Sequence, residues 1–110
     1  MITKEEIIKI NKELGGEIIN LSSLDFALKS EEKNIYKRNA LLIRAIVVDH
    51  PFSDMNKSTA TISIIRNFRE KGIKCKEESL FRGLEKIASK NITNLNKIER
   101  GLRKWCPKTK

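Results

Sequence analysis

The chain has 110 residues, enough for one domain with one core. Hydrophobic residues make up 39% of it, with only four Phe, one Trp and one Tyr, so Ile and Leu must supply most of the core volume. A net charge of +9 favours polyanionic partners (nucleotides, nucleic acid or an acidic protein), and no apolar run nears the roughly 18 residues of a membrane helix.

Thr3-Lys4-Glu5-Glu6 fits a capping box, and Ile7, Ile8, Ile10 and Leu14 then recur at helical spacing until Gly15-Gly16. A short apolar segment, Ile18 to Leu21, precedes a short helix through Leu28 for which Ser22 or Ser23 supplies the cap. Lys29 to Asn34 reads as a polar connector. From Ile35 to Asp49 the chain is apolar on most faces, with Lys37 and Arg44 on one narrow polar stripe, which predicts a helix buried on nearly all sides. Pro51 removes a donor and restricts His50, so this helix ends there.

Thr59 to Ile64 alternates polar and apolar like a strand, yet Ala60, Ile64, Ile65 and Phe68 also form a helical face that Gly72 would stop. The length of the run to Lys71 favours helix. Two further helices are expected. One covers Glu77 to Lys90 with Leu80, Leu84, Ile87 and Ala88; the other is capped by Thr93 and carries Leu95, Ile98, Leu102 and Trp105. Trp105 reads as a core anchor. The expected fold is all-α: a compact single domain over residues 1–106 with about six helices, a basic tail at 107–110, and two central helices flanking the loop at 50–57. Cys75 and Cys106 lack metal-ligand spacing and read as free thiols in a reducing cytosol, with a disulfide as the alternative. Met1 to Glu6 has no apolar signal-peptide core, which also points to the cytoplasm.

The chemistry concentrates in His50-Pro51-Phe52-Ser53-Asp54-Met55-Asn56-Lys57. His50, the single histidine, is a candidate general base, since an unperturbed imidazole is largely neutral at pH 7. Its alternative is a helix-end histidine bonded to a carbonyl. Asp54 is a candidate Mg²⁺ ligand, because magnesium needs only one or two protein carboxylates; its alternative is a helix N-cap. Asn56 and Lys57 open the next helix, where unpaired N–H groups and the dipole favour an anion; the Asn56 amide adds a donor, Lys57 a point charge suited to phosphate, and Ser58 one neutral hydrogen bond. Taken alone, Lys57 is a solvated lysine. Pro51 and Phe52 read as structural, with Phe52 plugging the core beneath His50.

The segment His50-Pro51-Phe52-Ser53-Asp54-Met55-Asn56-Lys57-Ser58-Thr59-Ala60 resembles the HPFx[DE]GN[GK]R motif of the Fic/Doc (filamentation / death-on-curing) family. Lysine at 57 followed by Thr59-Ala60 points to the Doc-like branch. The stretches TKEEIIKIN, SSLDFAL and NALLIRAIVVDHPF are similar to other parts of such chains. Met55 and Ser58 depart from the pattern, standing where the motif has glycine and a phosphate-contacting arginine. The resemblance implies transfer of a phosphoryl or AMP group from Mg-ATP to a protein hydroxyl. It implies His50 as base, Asp54 at Mg²⁺, and Asn56, Lys57 and Ser58 at the phosphates. It further implies a toxin that acts on a translation elongation factor and is silenced by a small antitoxin, and no [ST]xxxE[GN] self-inhibitory motif occurs in the chain. In the family the region corresponding to Lys29 to Asn34 carries a flap that docks the target; here it is short.

Two other readings stay open. One is a degenerate domain of the same fold acting as a binding module, motivated by Met55, Ser58 and the short connector. The other is a small basic nucleic-acid binder. Against the latter, no arginine-rich recognition helix stands out and the lysines are scattered.

Overall fold

The computed structural model describes residues 1–108; Thr109 and Lys110, the end of the expected basic tail, lie outside the described residues. Six α-helices and one π-helical turn make up the described chain, which has no strands. They form one compact domain with a radius of gyration of 12.6 Å.

Helix α1, Lys4–Glu13, begins with the expected capping box: the Glu6 N–H donates to Thr3 Oγ1 at 3.2 Å and the Thr3 N–H to Glu6 Oε1 at 3.0 Å. The Thr3 N–H bond, helped by the Thr3 hydroxyl, lowers the Glu6 carboxyl pKa from its ordinary value. Gly15, at φ 102°, takes the left-handed turn that ends the helix. Helix α2 spans Ser22–Leu28. The expected serine cap is corrected: Leu21 already has φ −91° and ψ 2°, so the chain turns one residue early. Asn20 Oδ1 accepts the Ser22 N–H at 2.9 Å instead, in a local Asx turn.

Asn34 closes the polar connector and caps α3, Ile35–Ile43, accepting from the Tyr36 and Lys37 N–H groups. The apolar run does not stay α-helical to Asp49. Arg44–Val48 forms a π-helical turn, closed by the Asp49 N–H on the Arg44 carbonyl at 3.2 Å. The helical segment therefore ends before His50. Such turns widen a helix at its end and re-aim the following residues.

Helix α4 runs Asn56–Glu70. The strand-like alternation lies inside it because its polar members satisfy themselves within the helix. Thr61 Oγ1 donates to the Lys57 carbonyl at 2.8 Å, and Ser63 Oγ to that of Thr59 at 2.7 Å. The hydroxyls are thus buried without loss, and α4 packs against α1, α3 and the π turn. Asn67 adds two more buried bonds, accepting the Ile2 N–H at 2.7 Å and donating to Asn39 Oδ1 at 2.8 Å. Among the described residues no buried side-chain polar atom lacks a partner.

Helices α5, Glu77–Ser89, and α6, Leu95–Trp105, complete the domain. The cap of α6 is also corrected. Asn94, one residue after Thr93, has extended backbone and accepts the Lys97 N–H at 3.1 Å, while the Thr93 carbonyl accepts from Arg44. A larger correction concerns the cysteines. Cys75 and Cys106 form a disulfide and are both buried. The bond between the Lys76 N–H and the Trp105 carbonyl, at 2.7 Å, draws together two segments that sequence spacing could not relate. Tyr36 closes this end of the core, with its hydroxyl on the Cys106 carbonyl at 2.6 Å and its ring 5.2 Å from that of Phe68.

Candidate functional site

The loop between the π turn and α4 carries the motif, and its path follows from three local constraints. His50 sits at φ 50° immediately before Pro51, reversing the chain as the helix stops. Phe52 drops into the core and is 1% exposed. Met55 sits at φ 62° and is the N-cap residue of α4. A left-handed residue at a helix start is normally glycine, because a Cβ is disfavoured there. This geometry gives a physical reason for the glycine in the motif that the segment resembles. It also corrects the alternative assigned to Asp54: its side chain accepts only the adjacent Met55 N–H, at 2.7 Å, and does not cap the helix.

Two neighbouring segments clamp the loop. Glu17 to Asn20 lies extended beside it: Ile18 pairs with Phe52, the Ser53 N–H donates to the Glu17 carbonyl, and the Ile19 and Asn20 N–H groups share the Pro51 carbonyl. The short apolar segment is therefore a brace for the loop, with Ile18 and Ile19 themselves exposed. From α1, the buried Asn11 amide donates to the Asp54 carbonyl at 2.9 Å and to Thr59 Oγ1 at 3.1 Å. Gly16 leaves room for this contact, since a side chain there would meet Asn11 and the Asp54 carbonyl. Sequence reasoning missed Asn11. Its signal was a polar residue four positions after Ile7, on the stripe that α1 buries.

His50, Ser53, Asp54, Met55, Asn56, Lys57, Ser58 and Ala88 line one open cleft of about 460 Å³. Of the seven residues expected to carry chemistry or shape the loop around it, six divide into two groups, and the buried Asn56 stands apart. His50, Asp54 and Lys57 are exposed to solvent and Ser58 is half-buried, whereas Pro51 and Phe52 are buried beneath. No hydrogen bond among the described residues uses the N–H groups of Asn56, Lys57 or Ser58. These are the donors that an α-helix leaves unpaired in its first turn.

Asn56 differs from its expected role. Its side chain is committed to the loop: Oδ1 accepts the Phe52 N–H at 3.2 Å, and Nδ2 donates to the Phe52 carbonyl at 2.9 Å. The same Nδ2 lies 3.4 Å from His50 Nδ1. Because the two Phe52 bonds fix the amide orientation, Nδ1 faces a donor. What Asn56 can offer an anion is its backbone N–H.

No three His, Cys, Asp or Glu side chains gather as a metal cluster among the described residues. A cation here would have one protein carboxylate, that of Asp54, whose second oxygen has no hydrogen bond among the described residues. That donor set suits a magnesium ion that takes its other ligands from phosphates and water. No arginine lines the cleft, and Arg66 turns away to Glu6, 3.7 Å distant. No protein-family model, no curated protein and no solved structure matches the chain. No helix of the described residues is long and apolar enough to cross a membrane.

Proposed function

We propose that the chain is a Doc-like transferase that moves a phosphoryl or AMP group from Mg-ATP to a hydroxyl side chain of a protein. The observation that carries this reading is the convergence, on one open cleft, of an imidazole, a carboxylate, an ammonium and three unpaired backbone N–H groups. The N–H groups and Lys57 would bind phosphate oxygens at the helix N-terminus, and Ser58 would add one further donor. Asp54 would hold Mg²⁺, which supplies charge neutralisation at the phosphates. His50 would take the hydroxyl proton as the new O–P bond forms and the bond to the leaving ADP, or pyrophosphate, breaks. The protein target (a translation elongation factor by resemblance) and a small silencing antitoxin complete the proposal.

The test is incubation of the folded protein with γ- and α-labelled ATP, Mg²⁺ and cell lysate. Label is expected in a protein with one of the two nucleotides. The His50→Asn variant should lose about 10²–10⁴ in rate. Asparagine tolerates φ > 0, so this variant keeps the loop where alanine would strain it. Full label transfer by His50→Asn would remove His50 from its role. A second reading has its own observation. Lys57 is the one lysine or arginine lining the cleft among the described residues, so the bidentate phosphate clamp that arginine provides is missing there. A degenerate binding module of the same fold would bind ATP weakly and label nothing.

A further inference from the structure

A second cleft lies away from the motif loop, between α5 and α6. The connector 90–94 is short, and the Lys76 N–H to Trp105 carbonyl bond ties the far ends, so the two helices run antiparallel side by side. The groove between them has a volume of about 610 Å³, larger than the motif cleft. Arg82 and Lys86 line it from α5, and Lys97, Arg100 and Lys104 from α6. All five are exposed, and among the described residues no carboxylate lines the groove. Steps of three and four residues put each set on one helix face. Arg82 is paired with Glu78; Lys86, Lys97, Arg100 and Lys104 have no ion-pair partner among the described residues. Like charges one turn apart destabilise a helix, so the arrangement is not explained by folding.

At the groove floor lies Trp105, half-buried. Its six-membered ring passes over Gly83 and Gly101, and a side chain at either glycine would overlap it. The surrounding cations do not stack on this ring; the cation–π contacts of the described residues go to Tyr36, from Arg103 and Lys108. The half-buried indole thus lies inside a rim of positive charge, with no cation stacked on it among the described residues.

We propose that this groove binds single-stranded nucleic acid, with its phosphates on Arg82, Lys86, Lys97, Arg100 and Lys104 and one base on Trp105. Five cations around an acid-free groove complement a polyanion. The half-buried indole favours a nucleic-acid strand over an acidic peptide, since base stacking on an aromatic ring is the recurring contact of such sites. The lysines that look scattered in the sequence are gathered here by the pairing of two helices. The inference is independent of the transferase reading and uses none of its residues.

Trp105 is the one tryptophan of the chain, so its fluorescence reports this groove alone. Titration with oligodeoxythymidine and oligouridine at low salt should quench it. With five phosphates neutralised, log K should fall against log salt with a slope of about −3 to −4. The two oligomers separate DNA from RNA. Lys97→Glu with Arg100→Glu should weaken binding at least tenfold, while Lys9→Glu, the same kind of charge change on exposed α1, should weaken it less than threefold. Poly-glutamate should not compete at equal charge. Unquenched fluorescence, equal competition by poly-glutamate, or equal damage from Lys9→Glu would each overturn the proposal.

Discussion

Two residues of the motif loop hold backbone that favours glycine or asparagine, and one of them can be tested without touching chemistry. Met55 occupies the left-handed region at φ 62°. Glycine there removes the Cβ penalty of roughly 1–2 kcal/mol but regains freedom in the unfolded chain worth about 0.5–1 kcal/mol. The first effect wins, so Met55→Gly should raise stability by about 0.5–1 kcal/mol in urea unfolding. A loss of that size would mean that the half-buried Met55 side chain packs better than its backbone allows. At this scale the sequence exposed the reactive residues and concealed their supports. His50, Asp54 and Lys57 are legible because few other roles need those types together. Asn11 and the committed side chain of Asn56 are not, because an amide's partners are set by distant backbone.

Helices carry the next layer of the argument, and α5 shows how a local rule is reversed by its neighbour. Glycine inside a helix costs about 1 kcal/mol relative to alanine, so Gly83→Ala should stabilise an isolated α5. In the folded chain a methyl group there would overlap the Trp105 ring. Displacing a packed ring costs typically 1–3 kcal/mol, so Gly83→Ala should destabilise the protein and shift the Trp105 emission. Thermal unfolding with fluorescence readout decides the sign. The link between α6 and the loop after α4 offers a second test. The Cys75–Cys106 disulfide spans a sequence separation of 31 residues. On the chain-entropy account, closing such a loop stabilises by about 3–4 kcal/mol. Dithiothreitol, or Cys75→Ala with Cys106→Ala, should lower the unfolding free energy by roughly that amount; an unchanged urea midpoint would remove the disulfide from the balance. Helix existence was readable from apolar spacing. Three of the boundaries were not, because caps at Leu21 and Asn94 and the π turn depend on turn geometry at single residues.

For the molecule as a whole, Tyr36 reports the closure of the core. It lies where α3, α4 and α6 meet, 2% exposed, with Arg103 4.4 Å from its ring centre. Burial raises its hydroxyl above the ordinary value of 10.0, against the opposing effect of the Arg103 charge. The folded state therefore holds this proton more tightly than the unfolded chain. The stabilising contribution is complete below pH 10 and is lost as pH rises through the folded value. Because the chain has one tyrosine, Tyr36→Phe isolates the effect. The variant should lose about 1 kcal/mol at neutral pH, with the bond to the Cys106 carbonyl, and show a shallower decline above pH 10. Parallel alkaline limbs in the two proteins would contradict the assignment.

Periodicity, punctuation and composition were enough to specify an all-helical domain of this size, since an apolar stripe on a helix must be buried whatever it meets. They also marked the loop at 50–57, where proline stops one helix and the following polar residues start another. Proximity across the chain was decided only on folding. The Asn11–Asp54 contact, the Cys75–Cys106 bond and the joining of five cations around Trp105 each unite residues from separate elements. Such pairings depend on how helices pack, and packing is set by complementary shape summed over many side chains, which no local pattern encodes.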